Sequence, residues 1–407
     1  MSVMAQRFGV ICDDLRAAPV LRALISRPQP VVLCAVRTTL EADGLFHDLR
    51  GVEFCQRWEE LLPDTSITDV LVGGGQPETL VAAKHLAQAG KTVWVLPHPQ
   101  QGLMFAYEVS LQLEEGQGLV APVFPDRARA WWQQLLQAAR EGWLPPIQYI
   151  EFERFLDAGR RGMSPRSLLP LDEETGAARP GSEMSVSDVE ARLLWDLDLV
   201  RRLVGRYNRA TTLRTGGENG YLRQQTVTLT GSGVPELVWT VKPRSADSVD
   251  RLTLHTAEGA FVLEERPDGV TAWRPHFDAV STVTIRSDLD VLFPTEVTAA
   301  AWRDAVEAFE LADAVQHSLE RRRTVDLHHE PVSERTIFKT QMTALGCAVL
   351  FGTLVLMVGY LAIASIVPLN GTLLVALRTL VFAPLVLFLI AQLLLPLTRA
   401  SKASRDV

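Results

Sequence analysis

The chain has 407 residues, of which 47% are hydrophobic and 22% are charged, and its formal net charge is −8. This balance excludes a disordered, a collagen-like and a small disulfide-stapled protein, and the length predicts roughly two or three structural units. Residues 341–407 hold four basic residues and one acidic residue, so the negative charge lies in the rest of the chain, the body. This acidic body lacks the concentrated positive surface that a nucleic-acid partner requires.

The first part of the chain alternates short apolar runs with helical patterns. Continuous apolar runs indicate strands covered on both faces, and intervening helices indicate a parallel, doubly wound sheet, which binds nucleotides at the carboxyl ends of its strands. The predicted strands are Arg7–Cys12, 31–36, 69–72 and Thr92–Leu96, and the predicted helices are 19–26 and 79–89.

A second region has a period of two residues, which predicts an antiparallel sheet made of hairpins. Helices are predicted on either side of this sheet, and residues 159–184, rich in Gly, Pro and charged residues, predict a mobile insertion. An exposed face of the sheet would allow a homo-oligomer. The predicted strands are 224–230, 236–242, 251–256, 260–264 and 270–274, and the helices are Val186–Val204 and 299–320.

Two long apolar segments stand near the end of the chain. Residues 347–367 contain no charge and residues 373–397 contain only Arg378, so each segment can cross a hydrocarbon core of roughly 30 Å. The alternative is a buried helical hairpin in a soluble core. Basic residues flank the outer ends but not the connecting turn. The positive-inside rule therefore predicts a two-helix anchor in the inner or plasma membrane, with the lipid bilayer as partner and with both termini and the body in the cytoplasm.

The start of the chain has no secretory signal pattern, which agrees with a cytoplasmic body. The four cysteines stand at positions 12, 34, 55 and 347 without a CxxC pair, which predicts reduced core thiols and no zinc site. The adjacent residues His328, His329 and Glu330 are interpreted as a solvated linker, because neighbouring histidines do not converge on one metal without further ligands. No metal site is predicted.

Four motifs in order carry a family resemblance. They are DVLVGGGQPETLVAAKHLAQAGKTVWVLP, VAPVFPDRARAWWQQLLQAAREGWLPPIQYIEFER, LLWDLDLVRRLVG and RLTLHTAEGAFVLEE. Over roughly residues 7 to 328, the chain resembles the glucose-fructose oxidoreductase, inositol dehydrogenase and MocA (Gfo/Idh/MocA) family. The resemblance implies a Rossmann domain that binds NAD(P), a second domain with an open sheet, and hydride transfer. It also implies a lysine in a Glu-Lys-Pro strand as acid or base, assisted by a histidine on the third motif.

The predicted fold class is therefore α/β, with a Rossmann-type parallel sheet followed by an α+β domain whose sheet is open and mainly antiparallel. Two transmembrane helices then follow. The predicted boundaries are 1–125 for the nucleotide-binding domain, 126–330 for the second domain, 331–343 for a linker, 344–398 for the membrane hairpin and 399–407 for a basic tail.

The first turn departs from the dinucleotide fingerprint, which needs glycines so that the backbone can approach the pyrophosphate. The candidate cofactor residues here are Gly9, Cys12 and Arg16, but Asp13 and Asp14 add two negative charges. The alternative is a helix-capping turn, since aspartate favours helix N-termini.

Three further candidates for cofactor binding lie after later strands. Arg37 follows the second strand, where arginine suits the extra phosphate of NADP; the alternative is a solvated loop charge. Gly74 and Gln76 belong to a glycine-rich turn where a ligand can approach the backbone. If a nucleotide binds, NADP is expected rather than NAD.

The catalytic positions that the resemblance implies are changed. Read without gaps, the motif places the lysine at Pro97, and shifted by one residue it places the lysine at His98. No lysine results either way, and only His98 can act as acid or base; otherwise it is a polar loop residue. Trp195 stands at the position of the family histidine on the third motif. Asp198 is the remaining candidate, and a structural role is preferred for it over a catalytic one.

Two hypotheses follow. The first is a membrane-anchored, catalytically degenerate relative that binds a small molecule or acts as a scaffold. The second is an active NADP-dependent oxidoreductase for a sugar or cyclitol-like substrate.

Overall fold

The protein is described by a computed structural model. It describes residues 7–12, 14–25, 31–34, 52–55, 57–116, 118–157, 184–216, 221–265, 271–274, 291–294, 299–327, 351–353 and 357. The chain forms two compact units, Met1–Glu330 and Pro331–Val407. Of the second unit, only short helical pieces at 351–353 and 357 are described.

The first sheet of the first unit has six parallel strands in the order β3-β2-β1-β4-β5-β6. This is the strand order of a dinucleotide-binding sheet, whose ligand crevice lies where the order reverses, at the carboxyl ends of β1 and β4. The strands are β1 (Arg7–Cys12), β2 (Val31–Cys34), β3 (Val52–Cys55), β4 (Ile67–Gly73), β5 (Thr92–Leu96) and β6 (Leu119–Pro122).

The predicted α/β sheet is confirmed, and helices follow its strands; the first two were predicted, whereas the third was not. They are α1 (Ala18–Ile25), α2 (Pro77–Gln88) and α3 (Gly102–Glu114). Short 3-10 turns at Leu15–Ala17, Trp58–Leu61, Pro99–Gln101 and Pro125–Ala128 connect several of these elements. Side chains such as Val10, Leu71 and Val95 are fully buried between the sheet and the helices, which explains why these strands lack a polar face.

The second sheet has nine strands and follows helix α4 (Ala130–Arg140). Its order is β14-β13-β12-β7-β11-β10-β9-β15, and β8 pairs with β10. The strands are β7 (Ile147–Leu156), β8 (Met184–Ser185), β9 (Arg209–Gly216), β10 (Tyr221–Gly231), β11 (Val234–Pro243), β12 (Asp250–Thr256), β13 (Gly259–Glu265), β14 (Thr271–Arg274) and β15 (Val325–Asp326).

The sheet is mainly antiparallel, as predicted, but the expectation that it is made of hairpins is wrong at its centre. Strand β7 lies between β12 and β11 and runs parallel to β11, from Tyr149 beside Glu236 to Leu156 beside Pro243. The sheet is therefore mixed. Parallel partners require a long crossover connection rather than a tight turn, and local periodicity does not detect such a pairing.

Two long helices pack against each other and against strands of the second sheet. They are α5 (Val186–Val204) and α6 (Ala299–Arg321). Helix α6 packs against α3 and β6 of the first region and against α5 and β9 of the second. Phe309 of α6 belongs to the first hydrophobic core, whereas Leu311 and Val315 belong to the second. Helix α6 therefore joins the two cores.

Three predictions fall outside the described residues. The predicted insertion at 159–184 lies outside them except for Met184, and the predicted basic tail at 399–407 lies outside them entirely. Of the membrane hairpin at 344–398, only 351–353 and 357 are described. Within the part of the chain that the structure describes, no helix is long and apolar enough to cross a membrane.

The cysteine prediction is partly wrong. Cys12 is buried and is not part of a disulfide, as expected, but Cys55 is disulfide-bonded. Cys34 stands beside Cys55 in register on the neighbouring strand, a proximity that depends on the pairing of β2 with β3 and is not encoded in the local sequence.

Candidate functional site

The turn after β1 is closed by the side chain of Asp14. This carboxylate is 7% exposed, and its Oδ1 accepts hydrogen bonds from the backbone N (3.0 Å) and from Nε (2.8 Å) of Arg16. The geometry is that of an aspartate holding the start of a helical segment. Among the described residues, its Oδ2 has no hydrogen-bond partner.

Arg16 reaches from this turn to two distant elements. Its NH1 donates to the backbone oxygen of Ser187 (3.2 Å) and lies 3.7 Å from Oδ1 of Asp188, both at the start of α5. Its NH2 lies 2.5 Å from Nε2 of His98, in the loop after β5. The guanidinium therefore spans the crevice at the carboxyl ends of β1 and β5.

His98 is 5% exposed and has both ring nitrogens facing N–H donors. Nδ1 accepts from the backbone N of Gln100 (3.1 Å), and Nε2 faces Arg16. A neutral imidazole offers only one acceptor nitrogen, so the ring has no spare lone pair for a substrate proton. Burial first, and then the charge of Arg16, lower the pKa of His98 from 6.5 to about 4, against an opposing effect of Asp14.

The glycine-rich turn after β4 is filled by side chains of the chain itself. Gly74 has a φ of 107°, and its carbonyl accepts from Nε2 of Gln101 (3.0 Å). A Cβ on Gly75 would come within 2.5 Å of Gln100 and 2.8 Å of His98. The predicted ligand approach to this backbone is therefore occupied by the loop after β5, while Gln76 is exposed at the start of α2.

Trp195 stands at the position of the family histidine, and it contacts Pro97, one of the two positions where the resemblance places the lysine. Nε1 of Trp195 donates to the carbonyl oxygen of Pro97 over 3.0 Å, and the Trp195 side chain is buried. Neither partner of this bond carries a proton that titrates near neutral pH. The bond also fixes α5 against the end of β5.

Asp198 lies in a buried ion pair. It is 0% exposed and accepts two hydrogen bonds from Arg127, Nε to Oδ2 (2.7 Å) and NH2 to Oδ1 (2.6 Å). NH2 of Arg201 lies 3.4 Å from Oδ1 of the same carboxylate. Such a bidentate pair holds α5 against the turn before α4. The role of Asp198 here is therefore structural.

Asp196 also lies in a buried ion pair, on the opposite face of α5. Its oxygens accept from Arg154 (2.8 Å), Arg192 and Nε1 of Trp239 (2.9 Å). Burial opposes ionisation, but Arg154 and Arg192 hold the pKa of Asp196 below its usual range. The two carboxylates of the third motif therefore each anchor α5 through arginines.

The remaining predicted site residues are dispersed. Gly9 lies within β1, where a Cβ would press on Val70 at 3.2 Å, so it serves strand packing. Sγ of Cys12 donates weakly to the carbonyl oxygen of Asp14 (3.5 Å). Arg37 lies outside the described residues. The structure brings together Arg16 and His98, and it adds Asp14 and Ser187 to them.

The residues at the crevice do not fit a dinucleotide pyrophosphate. The buried carboxylate of Asp14 stands in the first turn, where a fingerprint would have glycine backbone. Two like charges about 4 Å apart repel by about 4 kcal/mol at an effective dielectric near 20, and the Arg16 guanidinium, 2.8 Å from Asp14, offsets part of that repulsion. Within the described ranges, no three His, Cys, Asp or Glu side chains are grouped to hold a metal ion.

Solved structures of sugar and cyclitol oxidoreductases share this architecture. The myo-inositol dehydrogenase of Corynebacterium glutamicum ATCC 13032 has a TM-score of 0.57 at 15% identity, covering 80% of this chain and 100% of that one. The WlbA dehydrogenase of Chromobacterium violaceum, in complex with NADH and UDP-GlcNAcA, has a TM-score of 0.58 at 14% identity, covering 81% and 98%. The chain has the fold of these Gfo/Idh/MocA-type dehydrogenases.

A third neighbour is the aldose-aldose oxidoreductase of Caulobacter crescentus in complex with glycerol, with a TM-score of 0.53 at 12% identity, covering 79% of this chain and 99% of that one. No protein-family model and no curated protein sequence matches the chain. The similarity therefore establishes the fold, and function has to be argued from the site.

Sequence reasoning missed the partners that decide the roles of the site residues. Arg127 stands in the second motif, but nothing in the sequence indicated that Arg127, Gln101 or Ser187 contacts a candidate residue or its turn. The sequence signal nearest to this site is the replacement of the lysine and histidine positions, where Trp195 contacts Pro97.

Proposed function

We propose that this protein is a catalytically degenerate relative of the sugar and cyclitol dehydrogenases that works as a membrane-anchored binding or scaffolding module. The observation that carries the proposal is the closure of the crevice by Arg16. Its guanidinium donates to Asp14 and to the carbonyl of Ser187 and lies against the ring of His98, so the groups expected to bind a cofactor contact one another.

Two further observations support the proposed loss of catalytic activity. His98 is neutral at pH 7, because its pKa is lowered to about 4 by burial and by Arg16, and its ring nitrogens face other donors. Trp195 and Pro97 occupy the remaining pair of positions. General acid–base catalysis needs a group that titrates near the working pH and reaches the substrate, and none of these side chains meets both conditions.

The test is a titration of the full chain in detergent micelles with NADPH and NADH, followed by nicotinamide fluorescence and thermal unfolding. We expect no saturable response up to millimolar nucleotide. Saturable binding with turnover of a sugar or cyclitol would overturn the proposal in favour of an active oxidoreductase. Because Arg37 follows β2, that outcome would be expected with NADPH before NADH.

A charge variant sharpens this test. Asp14→Asn removes one buried negative charge with little change in volume, so any residual nucleotide affinity should rise about tenfold or more if this carboxylate repels the pyrophosphate. Asp188→Asn is the matched control, because its carboxylate is 58% exposed and lies 3.7 Å from the same arginine. Equal effects of the two variants would contradict a specific role for Asp14.

The membrane part of the proposal rests on residues 344–398. Their two apolar segments and flanking basic residues support a hairpin with both termini and the body in the cytoplasm. Alkaline phosphatase, which is active only after export, should be inactive when fused after Val407 and active when inserted after Gly371. Activity after Val407 would reverse the topology.

Self-association through the second sheet is a separate proposal. The exposed face of β7 and β12 carries Glu151, Glu153, Arg251 and His255, which pair across strands. Charged faces of this kind favour salt-sensitive contacts. Sedimentation of the full chain in micelles at about 50 mM and 500 mM salt is therefore expected to show a dimer that weakens with salt, and a salt-independent monomer would refute the proposal.

A further inference from the structure

A second concave site lies between the two hydrophobic cores. It is a cavity of about 190 Å³ between the start of α3, helix α5, strands β9 and β10, and helix α6. Asp14, Arg16, His98 and Trp195 do not line it. Pockets for drug-sized ligands hold roughly 300–1,000 Å³, so this one suits a smaller molecule.

The deep wall of the cavity contains a buried amide with an unused donor. Gln225 of β10 lines the cavity and is 0% exposed, and its inward neighbours along the strand are Val227 and Leu229. Its Oε1 accepts from Nε of Arg214 (2.9 Å). Because a guanidinium donates only, this bond fixes which end of the amide is oxygen.

The other end of that amide, Nε2 of Gln225, has no hydrogen-bond partner among the described residues. A buried N–H without an acceptor is rare and destabilising in folded proteins, and each case calls for an explanation. An aliphatic side chain at this position would have packed without that cost. An acceptor group on a ligand in the cavity supplies the missing partner.

Charges of both signs stand around this amide. Arg214 of β9 lies 3.5 Å from Oε1 of Glu190 on α5, and a guanidinium has several donors, so it can also bind an anionic group. Asp313 of α6 lines the cavity from another side. Burial raises the pKa of Asp313, as does Glu320, while His317 lowers it. Oδ2 of Asp313 lies 3.2 Å from Nδ1 of His317, and the Asp313 side chain is 43% exposed, so a ligand cation would be a second partner for this carboxylate.

The rest of the lining is apolar and includes Leu193 and Phe309. A polyol would place hydroxyl groups against this surface, whereas an aliphatic group would bury apolar area there. A ligand matching all three features has a carboxylate for Gln225 and Arg214, an ammonium for Asp313 and Glu190, and a short apolar side chain.

We propose that this cavity binds a small zwitterion of the α-amino acid class with an aliphatic side chain. Its carboxylate accepts from Nε2 of Gln225, and its ammonium lies towards Asp313. This site is independent of the Arg16 crevice and of whether any nucleotide binds there.

The test is calorimetric titration of the full chain in detergent micelles with L-leucine, 4-methylpentanoate, isopentylamine and myo-inositol. The second compound lacks the ammonium, the third lacks the carboxylate, and the fourth is an uncharged polyol. We expect saturable L-leucine binding with a Kd at or below about 1 mM, and at least about tenfold weaker binding of the other three. No heat from L-leucine at about 10 mM, or tighter binding of myo-inositol, would overturn the proposal.

Two variants separate ligand binding from folding. Gln225→Glu keeps an acceptor for Arg214 and nearly the same volume, but it removes the N–H donor, so L-leucine binding should fall at least about tenfold. Gln148→Glu makes the same change at an exposed side chain of β7 and should leave L-leucine binding unaltered. Asp313→Asn should weaken L-leucine but not 4-methylpentanoate. Full L-leucine affinity in Gln225→Glu would refute the site, and circular dichroism verifies the fold of each variant.

Discussion

Trp195 donates its indole N–H to the carbonyl oxygen of Pro97 over 3.0 Å, and this bond joins the third motif to the end of β5. The tryptophan is 8% exposed and belongs to the first hydrophobic core. The contact therefore stabilises the packing of α5 on the first sheet at the place where the family resemblance implies chemistry.

Replacing this tryptophan should cost stability. Trp195→Phe keeps an aromatic ring but leaves the Pro97 carbonyl without its donor, so the free energy of unfolding should fall by about 1–3 kcal/mol. Urea unfolding followed by circular dichroism measures the change. Trp143→Phe, at a side chain 42% exposed, should stay within about 0.5 kcal/mol, and a similar loss in both variants would contradict the assigned role.

Asp198 should prove essential for folding stability because of its bidentate contact with Arg127. Asp198→Ala leaves a largely buried guanidinium unpaired, and this should lower the free energy of unfolding by about 3–5 kcal/mol. The double variant Arg127→Met/Asp198→Leu should lose clearly less than the sum of the two single variants. Strict additivity in urea unfolding would show that the pair does not act as a unit.

His98 should make stability depend on pH. Its pKa is about 4 in the folded chain and 6.5 without the fold, so the unfolded chain binds more protons between these values. The contribution of His98 is complete above about pH 6.5 and is lost as the pH falls towards 4, by up to about 3 kcal/mol.

The measurement is the urea midpoint of the full chain between pH 7.5 and 4.5. His98→Asn keeps an acceptor for the backbone N of Gln100 but does not titrate, so it should flatten the profile. An unchanged slope in His98→Asn would contradict the proton linkage.

Gly75 should tolerate no side chain, because a Cβ would come within 2.5 Å of Gln100 and 2.8 Å of His98. Gly75→Ala must displace the loop after β5, which should lower the free energy of unfolding by about 1–3 kcal/mol. Gly75→Ala/Gln100→Gly should recover part of this loss in urea unfolding. A fully stable Gly75→Ala would mean that the turn is not packed against that loop.

Four of the six strands of the first sheet were predictable because their signals are local, whereas β3 (Val52–Cys55) and β6 (Leu119–Pro122) were not predicted. Strands Arg7–Cys12 and Thr92–Leu96 and helix Val186–Val204 have the bounds that the sequence predicts. Each is an apolar or amphipathic run that is followed by an aspartate, a proline or a glycine, so the period of the pattern and this residue together determine the element and its limits. The second sheet was only partly predictable, because the place of β7 (Ile147–Leu156) beside β11 depends on a pairing across a long crossover.

The candidate site divides in the same way. The sequence by itself determined which groups are missing, since no lysine stands at positions 96–99 and tryptophan occupies position 195. Only the tertiary structure decided what the remaining groups do: Arg16 contacts His98, 82 residues away, and Ser187, 171 residues away. Contacts over such separations are set by strand order and helix packing, whose burial energies come from the whole fold rather than from neighbouring residues.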